Sequence, residues 1–210
     1  MKKKYFLFIL CFIAFSYSPN LYSKLICNNN LNTVQVTIGS CTYNVEVCYS
    51  CSVTVPGNVT IGAIWYLDSM QQNCIPVSQL FDNIYAYVIS PEFIFNYLCP
   101  NHEPNPCEKG KDPLKYEYVE VEWYYCWKTV LILEPDNNEY RYFNACDDNA
   151  VCTYRLYYCK DENGQFQHFL DGFDGPIGEV NCDKTYSEIT IPTQYGVYSE
   201  CFNVMPPCGK

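Results

Sequence analysis

Positive charge is scarce in this chain. Its 210 residues carry 13 Lys+Arg against 23 Asp+Glu, a net charge of −10 at pH 7. Phosphate backbones and anionic membrane surfaces are bound through clustered Lys and Arg, so the composition argues against nucleic acid and against a polybasic membrane-surface role. Histidine is scarcer still, with only His102 and His168. Neither accompanies a G-x-S-x-G elbow or another assembled nucleophile set, so no catalytic residue is assigned. No paired C-x-x-C…C-x-x-C spacing stands beside the two histidines, so no metal site and no cofactor is expected. Beyond residue 23 no run of 18 apolar residues occurs, so no membrane span is expected in the mature chain.

A leader is present instead. Lys2, Lys3 and Lys4 precede an 11-residue apolar stretch from Tyr5 to Phe15, too short to cross a bilayer as a helix. Residues 1–23 read as a secretory signal peptide, with cleavage expected after Ser16 or Ser23. Its removal takes away three lysines, Cys11 and no acid, so the charge falls from −10 to −13 and the cysteines from 15 to 14. An even number in an oxidising compartment predicts a full set of structural disulfides over Cys27, Cys41, Cys48, Cys51, Cys74, Cys99, Cys107, Cys126, Cys146, Cys152, Cys159, Cys182, Cys201 and Cys208.

The cysteines reveal an internal repeat. The run from Cys41 to Cys48 (CTYNVEVC) aligns with that from Cys152 to Cys159 (CTYRLYYC), and the Pro-rich segment from Cys99 to Cys107 aligns with that from Cys201 to Cys208. Cys74 corresponds to Cys182, so five cysteines recur in the same order. The charged stretch 108–113 is the expected linker, which predicts a first Cys-rich β lobe over residues 24–109 and a second over 114–210. Seven cysteines fall on each side of it, and seven is odd. Complete pairing therefore demands at least one bridge between the halves.

Apolar and polar residues alternate from Cys41 to Val55, the period-2 signature of a half-buried strand, and the chain returns over Val59–Leu67 after Pro56-Gly57-Asn58. Similar alternation predicts a hairpin over 116–145 around Pro135-Asp136-Asn137-Asn138, and another over 152–170 around Asn163-Gly164. Residues 78–90 break the rule. Leu80, Phe81, Ile84 and Val88 recur at helical spacing, Ser78 is placed to cap, and Pro91 stops or kinks the chain, which predicts one short helix near 78–98. The fold class is thus mainly β: disulfide-rich antiparallel hairpins in two duplicated, sandwich-like lobes with one short helix.

Candidate chemistry is thin. Cys48-Tyr49-Ser50-Cys51 is a C-x-x-C, but inside a strand its sulfurs point to opposite faces, so both are read as structural half-cystines. The acids of Asp171-Gly172-Phe173-Asp174-Gly175 and Asp147-Asp148 do not follow the twelve-residue calcium-loop pattern and read as turn residues. Glu120 and Glu122 alternate onto the face opposite Trp123, and Trp123 and Trp127 read as core. Tyr116, Tyr118 and Tyr124 then form the expected exposed aromatic strip for a ligand, since Tyr gives rigid contact area at low entropic cost. The leading reading is a secreted, non-catalytic structural or binding protein of the cell surface or extracellular space, with a protein or glycan partner. A carbohydrate-binding module or glycoside hydrolase is one alternative, and a secreted inhibitor or toxin acting through its Pro-rich loops is another. Oligomeric state and partner stay open, and one specific bridge, Cys126–Cys146, is expected across the hairpin centred on residue 136.

Overall fold

A computed structural model of the protein describes residues 30–51, 57–69, 74–146, 150–172 and 176–204. The leader, Cys27, Cys208, Pro56, Asp147-Asp148 and Phe173-Asp174-Gly175 lie outside them. The chain is mainly β, with 48% of residues in strands and 18% helical, and its antiparallel hairpins join in one sheet.

Strand β1 (Asn30–Ile38) turns through Gly39, at φ 61°, into β2 (Cys41–Ser50). Val34 and Val36 of β1, with Cys41, Tyr43, Val45 and Val47 of β2, are buried, while their neighbours Gln35, Thr37 and Thr42 are exposed. The expected alternation of β2 is present, and β1 adds a strand ahead of it. Strand β3 (Gly57–Leu67) pairs antiparallel with β2 and is the branch point of the sheet. On its other side its first half pairs parallel with β4 (Glu117–Tyr124), and its second half pairs antiparallel with β6 (Glu139–Ala145). Beside β4 lie β7 (Val151–Lys160) and then β8 (Phe166–Gly172), while beside β6 lie β5 (Cys126–Leu133) and the short β9 (Phe202–Asn203). The strand expected over 116–134 is thus broken at Tyr125, where the chain passes from a place beside β3 to one outside β6. Strands from the two sequence halves interleave, since β3 is flanked by β2 on one side and by β4 and β6 on the other.

Helix α1 (Val77–Val88) covers the sheet with Leu80, Phe81, Ile84, Tyr85 and Val88, a stripe at three- and four-residue spacing. Its N-cap is Pro76 with no side-chain cap bond, so Ser78 lies in the first turn and does not cap it. Ser90 instead caps a second helical turn, Pro91–Phe93, by accepting from Phe93 N, with Pro91 at its favoured first position. A π-helical turn, Ile94–Leu98, continues from it. Phe81 is the hub of the core, with its ring 5.0–6.3 Å from those of Trp123, Trp127, Phe143 and Phe202. Both tryptophans are core residues, as the alternation implied.

Every cysteine among the described residues is disulfide-bonded. Five bridges are Cys41–Cys74, Cys51–Cys99, Cys107–Cys159, Cys126–Cys182 and Cys146–Cys201. Cys107–Cys159 joins the two sequence halves, as the odd count on each side requires. Because Cys51 pairs with Cys99, the C-x-x-C residues do not pair with each other. The expected Cys126–Cys146 bridge is not formed. The hairpin register behind it is present, because Trp127 faces Ala145 and Leu133 faces Glu139. At the next step, however, Cys146 N donates to Cys126 O at 3.0 Å. The cysteines therefore oppose one another at a hydrogen-bonded site, where side chains stand farther apart than at the non-hydrogen-bonded sites that favour bridging. Their sulfurs reach instead to the C-terminal segment, and the four half-cystines pack as one cluster. The same segment is clamped by Arg141, which is 4% exposed: its Nε donates to Asp68 at 3.0 Å and its Nη1 to Pro192 O at 2.8 Å.

Candidate ligand-binding cavity

Three of those bridges frame a cavity of about 880 Å³. Its floor is the sheet, represented by Tyr43 of β2 and Tyr66 of β3, whose rings meet edge to face at 5.5 Å. One wall is the lead-in and first two turns of α1, from Cys74 to Tyr85, tied to the start of β2 by Cys41–Cys74. The opposite wall is C-terminal: Thr185, Tyr186 and Ser187, with Phe202, Asn203 and Val204. Cys182 and Cys201 lie just ahead of these two stretches and anchor them to β5 and β6. The stretches also brace each other. Asn203 N donates to Lys184 O at 2.7 Å, and Thr185 shares a capping box with Glu188. Burial shapes the volume through rings, while the disulfides hold segments of little regular structure against the sheet.

Several residues on these walls also carry polar atoms that are closed to solvent and to the cavity. Tyr43 Oη, Tyr85 Oη, Tyr186 Oη and Asn203 Oδ1 are buried and find no hydrogen-bond partner among the described residues. Buried polar groups are paired in the great majority of folded proteins, and each one left unpaired costs ~1–3 kcal/mol. Trp123 Nε1 and Tyr154 Oη are unpaired in the same way, on rings 5.2 and 5.7 Å from that of Tyr85. Unpaired groups thus continue from the cavity wall into the core behind it. Among the described residues no Lys, Arg or His lines the cavity, and Asp82, the only charged one there, is exposed.

Burial pushes the phenols of Tyr43, Tyr66, Tyr85 and Tyr186 upward from 10.0, and it holds Tyr154 at about 12. A tyrosine whose folded pKa is raised contributes its full stability below the unfolded value and loses it as pH rises toward the folded one. Stability is therefore expected to hold up to pH 10.0 and to decline above it. A phenolate absorbance titration should show the buried tyrosines ionising above pH 10.0 in a cooperative step that coincides with loss of near-UV circular dichroism. A single step with all tyrosines ionising in the folded state would contradict this burial.

The tyrosines singled out from the sequence are not brought together here. Tyr116 is 8% exposed, and its hydroxyl accepts from Glu108 N at 2.7 Å, so it does not belong to an exposed strip. The alternation that placed it outside begins only at Glu117, where β4 starts. Tyr118 is half-buried between Tyr157 and the Arg155 guanidinium, and Tyr124 is half-buried edge-on to Trp127. Glu122 accepts from Thr60 at 2.9 Å, and Glu120 lies 3.7 Å from Arg155. His168 is exposed on the edge strand β8. His102 is more engaged than a loop residue need be: its Nε2 lies 3.1 Å from Glu117 and 2.8 Å from Tyr158 Oη, and Asn105 donates to the other Glu117 oxygen at 2.6 Å. This cluster pins the loop between Cys99 and Cys107 to β4 and β7, and no Ser, Thr or Cys nucleophile joins it among the contacts described. Among the described residues no group of three or more His, Cys, Asp and Glu is placed to hold a metal ion, and no helix is long and apolar enough to cross a membrane.

Tyr43, Tyr66, Tyr85 and Tyr186 carried no separate signal in the sequence. Tyr43 and Tyr66 lie on the buried face of their strands, Tyr85 on the buried stripe of α1, and each reads as ordinary core. Their convergence depends on the C-terminal segment folding back over α1. No family model matches the chain, no curated protein matches it, and no solved structure matches it.

Proposed function

We propose that this chain is a secreted, disulfide-stapled, non-catalytic binding protein whose ligand occupies the cavity between β2–β3, α1 and the C-terminal segment. The observation that carries the reading is the cavity itself, about 880 Å³ lined mostly by aromatic and aliphatic side chains and framed by three disulfide bridges. Ligand sites are concave, largely apolar volumes of this size with a few polar groups, here Ser78, Thr185 and Ser187. Secretion is supported by the leader-like residues 1–23 and by the full oxidation of the described cysteines, since disulfides persist outside reducing compartments. The roomy, largely apolar cavity suits a small molecule better than an extended protein surface. The strip at Tyr118 and Tyr124 is half-buried and offers no comparable concavity.

The test is a blocking substitution. Val77 lines the cavity and is only partly buried, so Val77→Trp fills space with little disturbance of the core. An environment-sensitive apolar dye is expected to bind the oxidised mature chain at one site and to lose that site in Val77→Trp, with melting temperature retained. Equal dye binding by both folded proteins would show that the cavity is not the binding site.

A further inference from the structure

Among the described residues, β1 and β8 are the long strands with a neighbour on one side only. An open edge offers unpaired N–H and C=O groups to a second strand, and folded proteins blunt it with charge, proline, bulges or brevity. Strand β8 carries His168 and Asp171. Strand β1 has none of these devices: it is nine residues long, holds no charged residue, proline or glycine, and pairs with β2 without a break in register. We propose that β1 is the interface of a homodimer, pairing antiparallel with β1 of a second copy about a two-fold axis at Gln35.

Self-complementarity carries the argument. Thr33-Val34-Gln35-Val36-Thr37 reads the same in both directions. A two-fold interface sets one patch against its own copy, and here it sets Gln35 against the partner's Gln35, Thr33 against the partner's Thr37 and Val34 against the partner's Val36. Pairs centred on a residue join positions of the same parity, so every side chain keeps its face and backbone groups that point outward meet their own kind. Thr33, Gln35 and Thr37 are exposed, whereas Val34 and Val36 lie on the buried face. The exposed face already carries polar rungs that the partner would extend: Gln35 Nε2 donates to Asn44 Oδ1 at 3.5 Å, and Thr37 Oγ1 lies 3.3 Å from Thr42 Oγ1. An amide has a second N–H and a carbonyl oxygen to exchange with its copy across the axis. Facing threonines are a favourable cross-strand pair. Charge selects the same edge. A chain of net charge −10 repels its own copy, but Glu46 is the only charged residue from Asn30 to Leu67.

Sedimentation velocity of the oxidised mature chain over a range of concentrations tests the proposal. A monomer–dimer equilibrium with a dissociation constant on the order of micromolar is expected, in keeping with a small interface. Gln35→Lys and Gln35→Glu each set like charges against one another at the axis, so each should weaken the dimer by at least about tenfold. Both should keep the fold, because Gln35 is exposed, and circular dichroism checks that they do. Mixed in equal amounts, the two variants should recover the affinity of the parent, since opposite charges then meet. That recovery requires position 35 to face its own copy. A monomer at every concentration, a dimer that neither substitution weakens, or no recovery on mixing would overturn the proposal. Hydrogen exchange of the parent gives a reading that needs no variant. Alternate amides over residues 33–37 should gain protection as concentration rises. Protection of all of them in the dilute chain would mean that the edge is covered from within the same chain, which overturns the dimer.

Discussion

Phe81→Ala is expected to destabilise the fold by about 3–5 kcal/mol, the range of the largest single side-chain truncations. Phe81 is 2% exposed and its ring lies against four others, two of them the buried tryptophans of β4 and β5. Removing it forfeits the transfer free energy of the ring and opens a void that rigid neighbours cannot fill. Domains of this size have total stabilities of ~5–15 kcal/mol, so the variant would stand close to its unfolding limit at room temperature. Denaturant unfolding followed by tryptophan fluorescence measures the loss. A cost near that of a surface truncation would mean that α1 does not pack on the sheet as described. Phe81 also lines the cavity, so Phe81→Leu, which keeps most of the packing, is the variant in which to look for altered binding.

Loss of one bridge of the C-terminal cluster should rank close behind. Replacing Cys146 and Cys201 together by Ala opens a closure of 55 residues, which in the chain-entropy picture contributes about 4 kcal/mol. The consequence reaches the cavity, since Cys201 precedes Phe202 and Asn203 on its wall. The double variant is expected to melt lower and to bind the apolar dye more weakly even where it is fully folded. Non-reducing peptide mapping of the parent should recover Cys126 linked to Cys182 and Cys146 linked to Cys201. Recovery of Cys126 linked to Cys146 would contradict this connectivity and remove both bridges that hold the C-terminal wall. The two cysteines are cross-strand neighbours, so this is the pairing error that oxidative refolding would make most easily.

What could be read from the sequence was local. Alternation found β2, β4 and β7, turn residues found the hairpin at 135–138, and helical spacing found the buried stripe of α1. At 135–138 the structure shows Asn137 at φ 61° and Asp136 accepting from Asn138 N, which is the conformation those residue types favour. Even the β5–β6 register followed from the position of that turn. The disulfide did not, because symmetry about a turn cannot tell hydrogen-bonded from non-hydrogen-bonded pairs. The sheet order was also out of reach. That β3 should take β4 beside one half and β6 beside the other depends on long-range pairing, for which no local pattern exists. The cavity shares this origin. Residues 182–204 contain little regular structure, and their bridges, the Arg141 clamp and backbone pairing with β5 together hold Tyr186 and Asn203 on the wall opposite α1. Tyr116 is buried because it precedes β4, so the strand's alternation does not reach it.

The site itself is best decided by nuclear Overhauser contacts between the oxidised mature chain and the bound apolar dye. Contacts from dye protons to the rings of Tyr43, Tyr186 and Phe202 are the predicted result. Contacts confined to Tyr118 and Tyr124, or to the exposed strand β8, would contradict it.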